Sequence, residues 1–161
     1  MRIILMGVSG CGKSTIGALL GEKTNLHFYD GDDFHPAKNI NKMSSGIPLT
    51  DEDRNDWLHV LHNKILAKNN RCIIACSALK PEYRKILSEG FDDIYFIYLK
   101  ADYKLILERH KNRKDHFFSG EAMLKSQFNT LVEPQENEAD IVDISQTPEK
   151  IVEIIIDALK I

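Results

Sequence analysis

Leu5-Met6-Gly7-Val8-Ser9-Gly10-Cys11-Gly12-Lys13-Ser14-Thr15 contains a complete GxxxxGK[ST] phosphate loop at residues 7–14, directly behind the apolar pair Ile3-Ile4. The context carries the reading, because such a loop works only where a buried strand feeds a tight turn that opens a helix. Glycines at 7, 10 and 12 permit that path, and successive N–H groups together with the helix N-terminus then point at one anion. Residues Gly7 to Thr15 are accordingly expected to hold the phosphates of a nucleoside triphosphate. Lys13 is expected to reach the β- and γ-phosphates, and the Ser14 hydroxyl to ligate Mg²⁺.

The size of the chain narrows the choice of nucleotide-binding protein. At 161 residues it fits a single domain, 1–161, burying about two thirds of its unfolded surface and leaving little room for a separate effector unit. A net charge of −3 and a pI near 6.1 argue against a nucleic-acid partner, whose phosphates require a basic face. The apolar run after Met1-Arg2 stops at Gly7, too short for a signal peptide, and no later stretch approaches a membrane span. Three cysteines do not make a disulfide framework. Cys72 and Cys76 fall on one strand, roughly 13 Å apart, too far to share a metal or a bond. They read as core thiols, and the protein as cytoplasmic.

Along the chain, strands at Ile3–Met6, Leu26–Tyr29, Ile73–Ala75, Ile94–Leu99 and Asp140–Ile144 alternate with helical patterns. That alternation predicts a five-stranded parallel sheet with helices on both faces. Pro36 to Leu49 reads as a polar, glycine-punctuated connection, with Thr50 as N-cap of a helix whose stripe runs through Trp57, Leu58, Leu61, Ile65 and Leu66. Ligands of such sheets collect beyond the carboxyl ends of the strands. That rule gathers the phosphate loop, the acidic run Asp30-Gly31-Asp32-Asp33, the segment Ser77 to Arg84 and the basic stretch from Arg109 into one place.

A kinase needs an acceptor for the substrate proton, cations around the moving phosphoryl group and exclusion of water. Asp32 is the candidate proton acceptor, Asp30 the candidate for a water-mediated Mg²⁺ contact, and Asp33 fits a solvated turn. Arg109 and Arg113, at i and i+4, begin a lid over about 109–122 with a hinge at Phe117-Phe118-Ser119-Gly120. Arg109 is assigned to the nucleotide and Arg113 to the transferring phosphoryl group. Arg54, Lys80 and Arg84 supply cations on the acceptor side, which predicts an acceptor with an anionic group of its own. His59 and His62 have no third ligand to make a metal site. A nucleotide-dependent switch is the rival from another class, but the chain has neither an NKxD base reader nor a DxxG loop.

Six segments resemble the gluconate kinases, a branch of the small phosphate-loop kinases related to shikimate and adenylate kinases. They are LMGVSGCGKST at 5–15, DGDDFHPAKNINKMSSGIPLTDEDRNDWL at 30–58, CSALKPEYR at 76–84, IYLK at 97–100, and RHKNRKDHFF with SQF at 109–118 and 126–128. The resemblance implies the phosphate-loop kinase fold, transfer from ATP to D-gluconate with Mg²⁺, a cytoplasmic location and often a homodimer. It implies that Asp32 faces the terminal hydroxyl of the sugar acid, that Arg54 and Arg84 belong to the acceptor pocket, and that His35 contacts a hydroxyl. Cys11 departs from the serine common in such loops, a position where the backbone does the binding. Shikimate kinases are the nearest alternative, but they carry a glycine triplet where this chain has Cys76-Ser77-Ala78-Leu79-Lys80.

Overall fold

The computed structural model describes residues 1–112 and 121–161. Arg113 and the expected hinge at 117–120 lie outside the described residues. Strands β1 (Arg2–Met6), β2 (His27–Asp30), β3 (Cys72–Ala75), β4 (Ile94–Lys100) and β5 (Asp140–Asp143) form one sheet in the order β2-β3-β1-β4-β5, and every pair is parallel. Its central strands are apolar without alternation: Ile3, Ile4, Leu5, Ile73, Ile74, Ile97 and Leu99 are all fully buried. A sheet covered on both faces demands that pattern.

The order also fixes where the helices go. From β1 the chain runs through α1 (Lys13–Thr24) to the β2 edge, whereas every later step moves the opposite way. Right-handed crossovers therefore put α1 on one face. They put α3 (Asp51–Val60), α4 (Pro81–Ser88) and α5 (Tyr103–Lys111) on the other. Packing agrees, since α1 lies against the C-terminal helix α7 (Pro148–Leu159) and α3 against α4. Between β1 and β3 the winding reverses, and the loops leaving those two strands part and open a crevice.

One element departs from the sequence expectation. Residues Ala37–Ser44 form a helix, α2, inside the segment that reads as a polar connection. Its buried positions are Asn39 and Met43, so half of its inward face is an amide and no apolar stripe marks it. The remaining elements are α6 (Glu121–Thr130), a 3₁₀ turn at Gly31–Phe34 and a π-helical extension of α3 over Leu61–Leu66. Thr50 caps α3 in a full capping box: Asp53 N–H donates to Thr50 Oγ1 at 3.2 Å and Thr50 N–H to Asp53 Oδ2 at 3.0 Å. All three cysteines are buried and unpaired, and burial pushes the thiols of Cys72 and Cys76 up to about 11 and about 12.

Gly31 is where the chain leaves β2 across the end of β3. A Cβ there would stand 2.3 Å from the Ala75 carbonyl oxygen, and backbone cannot give way as a flexible side chain can. Gly31→Ala is expected to destabilise the protein by about 1–3 kcal/mol through overpacking, read as a lower midpoint in urea denaturation with an unchanged slope.

Candidate active site

The site grows from the ends of β1, β2 and β3. Beyond β1 the loop glycines 7, 10 and 12 all take positive φ, at 142°, 81° and 99°, the path that only glycine follows without strain. Val8 and Cys11 turn their side chains into the core, with 2% and 1% exposed. At those positions the loop therefore presents backbone. Gly7 N–H donates to Ser77 O at 3.2 Å, tying the phosphate loop to the segment leaving β3. Lys13 folds back along the loop, its Nζ donating to Gly7 O at 2.9 Å and Val8 O at 3.0 Å.

Asp30, at the end of β2, joins the loop to the acceptor side. Its Oδ2 accepts the Ser14 hydroxyl at 2.5 Å and its Oδ1 the Asp32 N–H at 3.1 Å. The two residues expected to serve Mg²⁺ are thus in direct contact. A hydroxyl and a carboxylate are hard oxygen donors that fit this ion, which keeps several waters and leans on substrate phosphates instead of an all-protein cage. Among the described residues no three His, Cys, Asp or Glu side chains converge as such a cage, His59 and His62 included.

Asp32 follows in the 3₁₀ turn, with 57% of its side chain open and its Oδ1 3.6 Å from His35 Nε2. Behind the imidazole, Asn39 Nδ2 lies 2.9 Å from Asp53 O and 3.2 Å from His35 Nδ1. A backbone carbonyl can only accept, so Asn39 presents its NH₂ there. His35 Nδ1 then accepts the second hydrogen, and the ring proton is left on Nε2, facing Asp32. The ring is stacked on Trp57, centroids 4.0 Å apart at 19°, and Trp57 Nε1 donates to Gly31 O at 2.7 Å. Enclosure by the cleft walls works against the charge on Asp32. His35 and the Lys13 ammonium outweigh it and hold the carboxyl below its ordinary value.

Arg54 is buried on α3, where Nη1 donates to the Tyr83 hydroxyl at 3.3 Å. The Tyr83 hydroxyl donates in turn to Asp51 Oδ1, and Lys80 Nζ donates to the same carboxylate at 2.8 Å. Asp51 is therefore matched to Lys80 and Tyr83 and leaves Arg54 facing inward. Ser9, Gly10, Gly12, Lys13, Ser14, Thr15, Asp30, Asp32, His35 and Arg54 line one cleft of about 250 Å³. Trp57, Ala75, Ser77 and Gln127 complete its wall. Met43, Leu49 and Met123 form an apolar lip, packed on one another as a small cluster apart from the main core.

Lys80 and Arg84, expected on the acceptor side, lie outside that lining. Lys80 is held out by Asp51. Arg84 is buried, its Nη1 donating to Ala78 O at 3.0 Å and Val132 O at 3.2 Å. Ala78 has a positive φ of 44°, costly for a residue with a Cβ, so Arg84 pins a strained turn from behind. Asp33 is exposed and does not line the cleft. Arg109 Nη2 donates to Ile144 O at 3.2 Å, beyond β5. Its neighbour on α5 closes over the phosphate loop: a Cβ on Gly10 would sit 2.8 Å from His110 Nε2. Asn39 and Gln127 belong to the site; both fall inside segments that carry the family resemblance, 30–58 and 126–128, but neither is assigned a role there. The helical period through His35, Asn39 and Met43 is a signal for the first, and the Ser126-Gln127-Phe128 segment is a signal for the second.

Comparison with known proteins fits this geometry. A family model for shikimate kinase matches residues 9–160. The thermosensitive gluconokinase of Escherichia coli K12 is 50% identical, over 88% of this chain and 76% of that protein. The thermoresistant gluconokinase of the same organism is 46% identical, over 98% and 92%. The chain belongs to the gluconokinase family. A crystal structure of a gluconokinase from Sinorhizobium meliloti 1021 superposes with a TM-score of 0.90 at 38% identity, over 99% of this chain and 91% of that one. Shikimate kinase from Aquifex aeolicus, at 20% identity and a TM-score of 0.65, shares the fold. No described helix is long and apolar enough to cross a membrane.

The support behind the site is sensitive to acid. Asp53 accepts from Lys42 Nζ at 2.7 Å and from Thr50 N–H, and these hold its carboxyl down to about 2. A depressed carboxylate contributes stability above its unfolded pKa, and that contribution disappears as pH falls through the folded value. Asp53→Asn is expected to be less stable than the wild type at pH 7. Chemical denaturation at a series of pH values should show the gap narrowing between about 4 and about 2.

Proposed function

We propose that this chain transfers the γ-phosphoryl group of ATP to the terminal hydroxyl of D-gluconate, giving 6-phospho-D-gluconate, with Mg²⁺. The observation that carries the reading is the single cleft in which a phosphate loop faces Asp32, His35 and Arg54. Membership of the gluconokinase family supplies the acceptor. Gluconate offers a carboxylate for a guanidinium and a row of hydroxyls for carboxylate and imidazole. Arg54 is buried within reach of the cleft and suits the carboxylate, because a guanidinium pairs it through parallel N–H donors.

Phosphoryl transfer leaves the protein little covalent work, so the residues act by positioning and by charge. Asp32 stays ionised through the neutral range and accepts a hydrogen bond from the attacking hydroxyl. With its pKa lowered, it orients that hydroxyl and collects the proton late in transfer. The Nε2–H of His35 steadies the carboxylate. Lys13 leaves its loop carbonyls for the β- and γ-phosphates. Mg²⁺, held through Ser14 and Asp30, would neutralise charge on the phosphates. Loop N–H groups bind the phosphates, and the apolar lip of Met43, Leu49 and Met123 limits water around the acceptor. Lys80 and Arg84 serve from behind, through Asp51 and the Ala78 turn.

A coupled assay for ADP release, presenting ATP and Mg²⁺ with gluconate, shikimate or AMP in turn, tests the assignment. Turnover is expected with gluconate; faster turnover with either other acceptor overturns it. Lys13→Ala is expected to lower kcat by about 10²–10³ or more with the thermal midpoint little changed, because it removes charge stabilisation and no packing. Near-wild-type turnover in a soluble Lys13→Ala protein would remove Lys13 from that role.

A further inference from the structure

Gln127 belongs to α6, 118 residues from the phosphate loop in sequence, yet its Oε1 accepts the Ser9 N–H at 2.6 Å. The atom facing an N–H must be the carbonyl oxygen of the amide, which leaves the NH₂ beside it as a donor. Ser9 and Gln127 both line the cleft. The place of Ser9 along the loop is set by Lys13, whose Nζ rests on the carbonyls of Gly7 and Val8, next to Ser9. The ammonium that meets the β- and γ-phosphates therefore lies at the Ser9 end, and the helix N-terminus at Gly12–Lys13 lies at the inner end. An oxygen bound by Ser9 N–H stands on the γ side.

We propose that Gln127 reads the γ-phosphoryl group and so distinguishes nucleoside triphosphate from diphosphate at this loop. Its carbonyl oxygen occupies the N–H that a γ-phosphoryl oxygen would take. The terminal amide torsion is broad and nearly two-fold, so a half-turn exchanges acceptor for donor. Nε2–H then points at the same phosphoryl oxygen that has claimed the Ser9 N–H. A diphosphate brings no oxygen to that end, and the Gln127–Ser9 bond persists. Met123, one turn earlier on the same helix, lies in the apolar lip of the acceptor chamber. Gln127 thus stands between donor and acceptor, placed to link arrival of the γ-phosphate to the wall around the acceptor. The proposal rests on the reading of the loop as the ATP site.

Calorimetric titration of Mg²⁺ with ADP and with a non-hydrolysable ATP analogue, into wild type, Gln127→Glu and Gln127→Leu, tests it. Glu keeps the size and can accept from Ser9 N–H, but it cannot donate and it repels a phosphate. Gln127→Glu is expected to weaken the triphosphate analogue about tenfold or more, with ADP within about twofold of wild type. Gln127→Leu is expected to weaken the analogue less, again with ADP unchanged. Unchanged ADP affinity reports an intact loop in each variant. Equal losses for both nucleotides, or no loss for either, would overturn the assignment. Failure of the wild type to bind either nucleotide would overturn the loop reading itself, and this proposal with it.

Discussion

The reversal of winding between β1 and β3 is the constraint on which the rest of the molecule depends. β1 sends its chain through α1 toward one edge of the sheet, while β3 sends its chain through α4 toward the other. Two neighbouring strand ends therefore release their loops in opposite directions, and the space between them cannot be filled by either. The phosphate loop forms one wall of that space. The 3₁₀ turn after β2 forms the facing wall, because β2 lies next to β3 and ends in register with it, Asp30 opposite Ala75. Donor and acceptor chemistry meet there as a consequence of strand order.

Charge in this crevice is arranged so that no group stands alone. Asp30 is held by a hydroxyl and a backbone N–H, Asp32 by an imidazole and a nearby ammonium, and Arg54 by a tyrosine hydroxyl. A buried ion lacking such partners would shift its protonation or unfold its surroundings. Each contact uses only part of the bonding capacity of its group, so the same side chains remain able to bind ligand. Rigidity comes from behind. The Trp57 indole is locked to Gly31 O and backs the His35 ring, Asn39 fixes the orientation of that ring, and Asp53 ties α3 to Lys42 of α2.

The sheet, the phosphate loop and the Thr50 cap are legible in the sequence because each has a local signature: unbroken apolar strands, fixed glycine spacing, and a capping residue three before an acid. Helix α2 is not, since a buried amide at position 39 breaks the apolar periodicity on which a helix is recognised. The cations show a second limit. Arg54, Lys80 and Arg84 look alike in sequence, and only the fold reveals that Asp51 holds Lys80 aside and that the strained carbonyl of Ala78 engages Arg84. Gln127 shows a third. Its partner lies 118 residues away, and its role depends on which atom of a neutral side chain faces the loop, a fact that no composition or spacing encodes.

We place the metal side of the cleft at Asp30 and its acceptor side at Asp32, two residues apart on the chain. Steady-state kinetics of Asp30→Asn and Asp32→Asn, with Mg²⁺, ATP and gluconate each varied in turn, tests this placement most directly. Asp32→Asn is expected to lower kcat while ATP affinity stays near wild type, and Asp30→Asn to raise the Mg²⁺ concentration needed for half-maximal rate. Normal turnover in Asp32→Asn together with a crippled Asp33→Asn, or a changed Mg²⁺ requirement in Asp32→Asn alone, would contradict it.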